Sequence, residues 1–149
     1  MNRKKYIGRA NLKIDAKGRV AVPAFCRVNG SKSFYVTVGR KKCLLVFDEA
    51  TFQERISELE ALDAFDERTD EIVRAFTCGA SLEVDSHGRL TIPKELRAFA
   101  NLSSDVVFVG LLTHLEIWDG PSFEAEHAAN IANLSKNMQE IAAERRDKR

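Results

Sequence analysis

The sequence predicts an α+β chain with a mainly β core, built twice over from the same short unit. Three observations carry that prediction. First, Asp15-Ala-Lys-Gly-Arg-Val-Ala-Val-Pro-Ala-Phe-Cys-Arg27 returns as Asp85-Ser-His-Gly-Arg-Leu-Thr-Ile-Pro-Lys-Glu-Leu-Arg97, with five of thirteen positions identical. Chance gives about one identity in thirteen, so the chain is internally duplicated. Second, apolar and polar residues alternate around each copy of the motif (Leu12/Ile14, Leu82/Val84), as in half-buried strands. Third, 149 residues with 44% hydrophobic and 30% charged content can enclose a core, which excludes a mainly disordered chain.

Each copy reads the same way. After the alternating strand, Asp-x-x-Gly is turn chemistry: the carboxylate accepts backbone N–H groups and the glycine takes a positive φ. A short strand follows, with Val20 and Val22 in one copy and Leu90 and Ile92 in the other. Pro23 or Pro93 then opens a short helix. Two further strands come next, Phe34–Val38 and Cys43–Phe47 in the first copy, Val106–Val109 and Leu115–Trp118 in the second. Here Val36-Thr-Val-Gly39 aligns with Val107-Phe-Val-Gly110, and Val46-Phe-Asp48 with Ile117-Trp-Asp119, at an offset of 71. Asp48 and Asp119 are suited to cap the helices behind them. Phe52, Ile56, Leu59 and Leu62 share one face of a first linking helix. A second, from about Asp66, carries Ile72, Val73 and Phe76. Phe123, Ile131, Leu134, Met138 and Ile141 form a C-terminal stripe. Stripes of this spacing are core or subunit interface. The expected units are residues 8–54, a helical linker 55–77, a second copy 78–124, and a C-terminal helix and tail 125–149.

Charge is unevenly spread. Residues 1–42 hold twelve Lys/Arg against Asp15 alone, a net +11; residues 43–86 carry −9 and residues 87–149 carry −1. A segment at +11 is the footprint of a polyanion binder, although a solvated face balanced by the acidic middle gives the same count. Catalysis finds no support, since no nucleophile elbow, P-loop or H-E-x-x-H occurs. The three histidines (His87, His114, His127) lack ligand spacing to Cys or carboxylate, so neither metal nor cofactor is expected. Cys26, Cys43 and Cys78 are odd in number and widely spaced, which points to free thiols and a cytoplasmic chain. No apolar run is long enough to span a bilayer, and the basic start Met1–Tyr6 is not followed by a signal-peptide core.

Arg19 and Arg89 each follow a turn glycine, where a long side chain can project. Each can lock its own turn by pairing with Asp15 or Asp85, or reach phosphate or a base edge, for which the guanidinium fork is suited. The expected DNA-contacting set is Lys17 and Arg19, with Arg3, Lys4, Lys5, Arg9 and Lys13 from the basic segment and Arg89 as a weaker member. Arg27 and Arg97, on the short helices, read as structural.

The doubled D-A-K-G-R-V-A-V-P and D-S-H-G-R-L-T-I-P, with the linking helices and the L-E-I-W-D run, resemble the bacterial MraZ proteins, tandem members of the AbrB-like swapped-hairpin superfamily. The resemblance spans about Gly8 to Phe123. It implies an intramolecular pseudo-dimer barrel. It also implies a nucleoid-associated transcription regulator that assembles into a ring homo-oligomer. Such a protein binds short direct repeats of double-stranded DNA upstream of the division and cell-wall gene cluster, its own promoter included. Lys17 and Arg19 fall on the DNA-touching turn. The second turn has His87 in place of Lys17, which gives it less charge and reach. The competing class is an antitoxin-like or scaffold ring protein that acts through protein contacts.

Overall fold

The computed structural model describes residues 2–148; Met1 and Arg149, the ends of the basic leader and tail, lie outside the described residues. The first copy supplies β1 (Arg9–Lys13), β2 (Arg19–Ala21), β3 (Ser33–Val38) and β4 (Leu44–Phe47), followed by helices α1 (Glu49–Glu60) and α2 (Glu67–Thr77). The second supplies β5 (Ala80–Glu83), β6 (Arg89–Thr91), a short helix α3 (Lys94–Phe99), β7 (Asp105–Gly110) and β8 (Leu115–Asp119), followed by α4 (Gly120–Ala132) and α5 (Leu134–Asp147). A three-residue 3-10 turn, Ala24–Cys26, stands in the first copy where α3 stands in the second.

The copies exchange strands. Six strands form one antiparallel sheet in the order β1-β7-β8-β4-β3-β5, and β2 pairs with β6 in a separate ribbon. Exchanging equivalent strands between copies reverses that order and reproduces it, so the chain has a pseudo-two-fold axis through the β4–β8 and β2–β6 pairs. Each copy's first strand bonds to the other copy's third: Leu12 lies opposite Val106, and Leu82 opposite Phe34. Neither half keeps its sheet without the other.

The barrel implied by the resemblance is not closed. β1 and β5 are the opposite edges of the sheet, and β2 and β6 bond only to each other. The Asp-x-x-Gly turns carry the chain off the sheet, so the ribbon lies across its inner face and completes the enclosure by apolar contact. Val20, Val22, Leu90 and Ile92 from the ribbon meet Phe34, Val36, Leu44, Val46, Phe108 and Ile117 from the sheet, all buried. Burial of this kind is worth about 1.5–3 kcal/mol per large side chain, an upper estimate.

The register corrects one alignment. Tyr35 lies opposite Phe47, and Val107 opposite Trp118, so Tyr35 and Val107 are the equivalent pair. The offset in β3 and β7 is therefore 72, not 71. It returns to 71 at β4 and β8 because the turn into β8 is one residue shorter. The consequence is large, because a one-residue slip moves a strand's side chains to the other face. Val36 and Phe108 share the inner core, whereas Val107 belongs to an outer cluster with Trp118 and Phe123.

Asp48 and Asp119 cap α1 and α4, accepting from the Thr51 N–H at 2.9 Å and the Ser122 N–H at 3.1 Å. Asp48 is buried and also accepts from the Tyr6 hydroxyl, the Arg3 guanidinium and the Thr51 hydroxyl. Burial alone would raise its pKa, but the Tyr6, Thr51 and Arg3 hydrogen bonds outweigh it and hold the carboxylate below its usual range. The Tyr6 hydroxyl is pushed up to about 12, chiefly by burial. An Asp with a folded pKa below its unfolded value of about 3.9 stabilises the fold fully above that value, and the stabilisation is lost as pH falls through the folded value. Urea midpoints are therefore expected to fall below about pH 4. Asp48→Asn should lose about 1–3 kcal/mol at pH 7 and show a shallower acid decline. Parallel acid branches for the two proteins would remove Asp48 from this account. Cys26 and Cys43 are buried, with thiols pushed up to about 12 chiefly by that burial, while Cys78 is exposed.

Candidate nucleic-acid interface

The two repeated motifs fold into matching turns. Asp15 Oδ1 accepts the backbone N–H groups of Lys17 at 3.0 Å and Arg19 at 2.9 Å, and the Gly18 N–H closes the turn on the Asp15 carbonyl at 2.9 Å. Asp85 repeats the pattern with His87 and Arg89, both at 2.9 Å, and Gly88 closes at 3.0 Å. These bonds favour the ionised carboxylates. The Arg19 backbone N–H leads in lowering the Asp15 pKa, and the Arg89 N–H leads at Asp85.

The turns differ in their surroundings. Gly18 has φ +86°, and a Cβ there would come within 2.6 Å of the Ile92 carbonyl and 2.7 Å of Arg97 Nε. Gly18 thus meets both a conformational and a steric demand for glycine. Gly88 has φ +76° but open space around it.

Each motif arginine is anchored at its neck. Arg19 Nε donates to Asp15 Oδ2 at 2.7 Å and Arg89 Nε to Asp85 Oδ2 at 3.1 Å. Among the described residues no hydrogen bond engages the terminal guanidinium nitrogens of either side chain. The turn-locking and ligand-contacting uses are therefore compatible: the carboxylate orients the guanidinium, and the two Nη groups remain to donate. Register places both arginines on one surface. Arg19 lies opposite Thr91 and Arg89 opposite Ala21, with Val20 and Leu90 buried between. Arg19, Ala21, Arg89 and Thr91 therefore line the outward face of the ribbon. Strand geometry separates the Arg19 and Arg89 Cα atoms by about 8 Å along the diagonal. The major groove of B-DNA admits a two-stranded β-ribbon.

The remaining basic residues divide. The Lys17 ammonium is exposed and has no partner among the described residues, beside Arg19. Lys4 and Lys5 are also exposed; Lys4 is held through its backbone to the Asn29 side chain at 2.9 Å in both directions. Arg3 is committed to Asp48. Arg9 and Lys13 alternate onto the outer face of the sheet, away from the ribbon. There Arg9 pairs with Glu124 and stands 4.8 Å over the Phe123 ring, and Lys13 pairs with Asp105. Much of the +11 charge of the first 42 residues thus meets acids of its own chain.

Two residues beside the motif arginines, one on the ribbon and one on α3, were not singled out for contact by the sequence. Thr91 lies between the arginines, and only the β2–β6 pairing reveals it. Arg97 donates from Nε to the Ile92 carbonyl at 2.9 Å, matching Arg27 on Val22 at 3.2 Å, so the structural reading of both holds. Arg97 also stands beside Gly18 and brings a second-copy cation to the first turn. Arg27 has no such place beside Gly88. Among the described residues no group of three or more His, Cys, Asp or Glu is placed to hold a metal, and no helix is long and apolar enough to cross a membrane.

A doubled chain whose halves exchange strands about a pseudo-two-fold axis, with paired Asp-x-x-Gly-Arg turns on a separate ribbon, is a tandem pseudo-dimer. A family model described as "MraZ protein, putative antitoxin-like" matches it twice, over residues 6–75 and 75–147. The chain belongs to the MraZ family. It is similar to proteins named "Transcriptional regulator MraZ" from several bacteria. With that of Lachnoclostridium phytofermentans it shares 37% identity over 137 residues, 91% of this chain and 96% of that one. With that of Thermobifida fusca it shares 35%, over 89% and 96% of the two chains. With that of Leifsonia xyli subsp. xyli it shares 31%, over 91% and 96%.

Proposed function

We propose that this chain is a sequence-specific DNA-binding transcriptional regulator without catalytic activity. In this reading it acts on the bacterial division and cell-wall gene cluster and binds short direct repeats in its own promoter as a ring homo-oligomer at the nucleoid. The relatives' names support regulation of transcription. The single observation that carries DNA contact is the outward pair Arg19 and Arg89, each fixed through Nε with its Nη groups unengaged. Lys17 adds a phosphate contact at the first turn, and Arg97 strengthens the field there. Lys4 and Lys5 serve as further phosphate contacts. Arg3, Arg9 and Lys13 contribute only if DNA displaces their carboxylates; the exposed Lys13–Asp105 pair is the cheapest of these to exchange.

The antitoxin-like wording of the family model keeps one rival reading in view, a scaffold that acts through protein contacts alone. Salt separates the two. If about four to six phosphates are neutralised per unit, log K is expected to fall against log salt with a slope of about −4 to −5. Titrations from low to physiological salt check this, and a slope near zero would favour the scaffold.

A further inference from the structure

On the outer face of the sheet the two copies part company. In the first, Phe76 of α2 folds back over Tyr35, Phe47 and Phe52, with ring centroids 5.4, 5.7 and 6.0 Å away. The Tyr35 and Thr37 hydroxyls donate to the Phe76 carbonyl at 2.7 and 2.8 Å. By the β-sheet register, the second-copy equivalents of Tyr35, Thr37 and Phe47 are Val107, Val109 and Trp118, and Phe123 stands four residues after Asp119 as Phe52 does after Asp48. α4 packs along these, and Arg9 and His127 stand 4.8 and 5.4 Å from the Phe123 ring, so Val107, Trp118 and Phe123 are buried, but no second helix folds back as α2 does. α4 runs into α5 at Asn133, and α5 buries none of its residues. What remains is a groove of about 410 Å³ lined by Val109, Leu111, Glu116, Trp118, Phe123 and Glu126, with Arg40 and Lys41 at its rim.

The same chain displays an aromatic side chain with nothing to cover it. Phe65, at the α1–α2 turn, is 99% exposed, the most exposed large hydrophobic among the described residues. The turn is built to hold it. Asp63 Oδ1 accepts the Phe65 N–H at 2.9 Å, and the Asp63 carbonyl accepts the Thr69 hydroxyl at 2.6 Å and the Asp66 N–H at 3.2 Å. A preorganised turn backbone loses little freedom on docking.

Charge matches as well. The turn carries Asp63, Asp66 and Glu67, and among the described residues only Asp66 of these has a cation, Arg68. The groove's own acids are engaged: Glu116 accepts Trp118 Nε1 at 2.8 Å and Glu126 pairs with Lys41 at 3.0 Å. Arg40 and Lys42 on the adjoining turn have no carboxylate partner among the described residues.

We propose that the groove over Trp118 and Phe123 receives the Phe65 turn of a second copy of this chain. The incoming ring enters the groove beside Leu111 and Trp118, where the second copy has no second helix, with Asp63 and Glu67 facing Arg40 and Lys42. Knob and groove are different surfaces of one chain. The contact is therefore heterologous, and it propagates from chain to chain and closes into a ring where the rotation permits. This names the contact behind the ring assembly proposed above and rests on that reading, but it does not depend on DNA.

The test uses the full chain, without DNA, in light scattering coupled to size exclusion. Phe65→Ser removes the knob at an exposed position, and Leu111→Arg blocks the groove from an exposed position. Each variant is expected to keep wild-type circular dichroism and to lose the assembly, the contact weakening roughly thirtyfold or more. Mixed together, they should form a 1:1 dimer and stop there, because one intact knob meets one intact groove. Wild-type assembly with both variants assembling equally well would overturn the proposal and leave the ring standing. A mixture that stays monomeric would overturn it too. Wild-type protein that is monomeric at every concentration would overturn the ring reading and this contact together.

Discussion

Arg19→Ala is expected to cost about 1–3 kcal/mol of DNA binding for each unit engaged, and to abolish detectable binding where several units act together. Arg89→Ala should cost clearly less. The asymmetry has a local origin. The first turn carries Lys17 and Arg19, with Arg97 brought alongside by the tight approach at Gly18. The second carries Arg89 with His87, and the space a side chain at Gly88 would occupy is open, with no counterpart of Arg97 beside it. An imidazole reaches less far than a lysine side chain. Asp15 and Asp85 orient both arginines through Nε, so alanine at either position also loosens its turn. Melting temperature and assembly size must therefore match wild type before the comparison is read. Gel-shift titrations at one fixed salt then decide. Equal losses, or a larger loss for Arg89→Ala, would show that local charge does not determine which turn holds the DNA.

Leu90→Ala is expected to destabilise the chain by about 2–5 kcal/mol, out of a total of about 5–15 kcal/mol for a domain. Leu90 is fully buried and lies opposite Val20 on the ribbon, so it seals both copies at the pseudo-axis. Truncation there leaves a cavity that neither the ribbon nor the sheet can close without breaking pairing. At about 2–4 °C per kcal/mol for a chain of this size, the melting point should drop by about 4–20 °C. Ile72→Ala on α2, at a half-exposed side chain, is the control and should change stability by less than about 1 kcal/mol. Urea titrations of the three proteins check this. A loss for Leu90→Ala no larger than for the control would mean that the ribbon does not seal the core.

The strands, the turns and the capping aspartates were legible because each rests on local chemistry. Alternation marks Leu12 and Ile14, Asp-x-x-Gly marks the turns, and Asp48 and Asp119 stand directly before their helices. The pairing between copies was not local. That β1 bonds to β7 and β5 to β3 depends on contacts nearly a hundred or about fifty residues apart, and only the family resemblance pointed there. The equivalence of β3 and β7 was misaligned by one residue because the valine-rich runs fit either register. The burial of Val107 against Trp118 settles it.

Within the candidate interface, Arg19 and Arg89 were singled out by their place after the turn glycines, and Lys17 by the family resemblance. The wider basic set was read from net charge, which does not see ion pairs. Arg3, Arg9 and Lys13 meet Asp48, Glu124 and Asp105, acids distant in sequence. The C-terminal stripe illustrates the same limit. Phe123 is buried, as a core reading expects, but Ile131, Leu134, Met138 and Ile141 are exposed in the single chain. A spacing pattern does not say whether a face is covered within a chain or between chains.

Footprinting of the purified protein on the DNA upstream of its own gene tests the central claim most directly. The account predicts protection at several adjacent short repeats in the same orientation, appearing together as protein is added, and absent with Arg19→Ala at the same salt. Protection that is no stronger there than on unrelated DNA, or that survives Arg19→Ala unchanged, would contradict it.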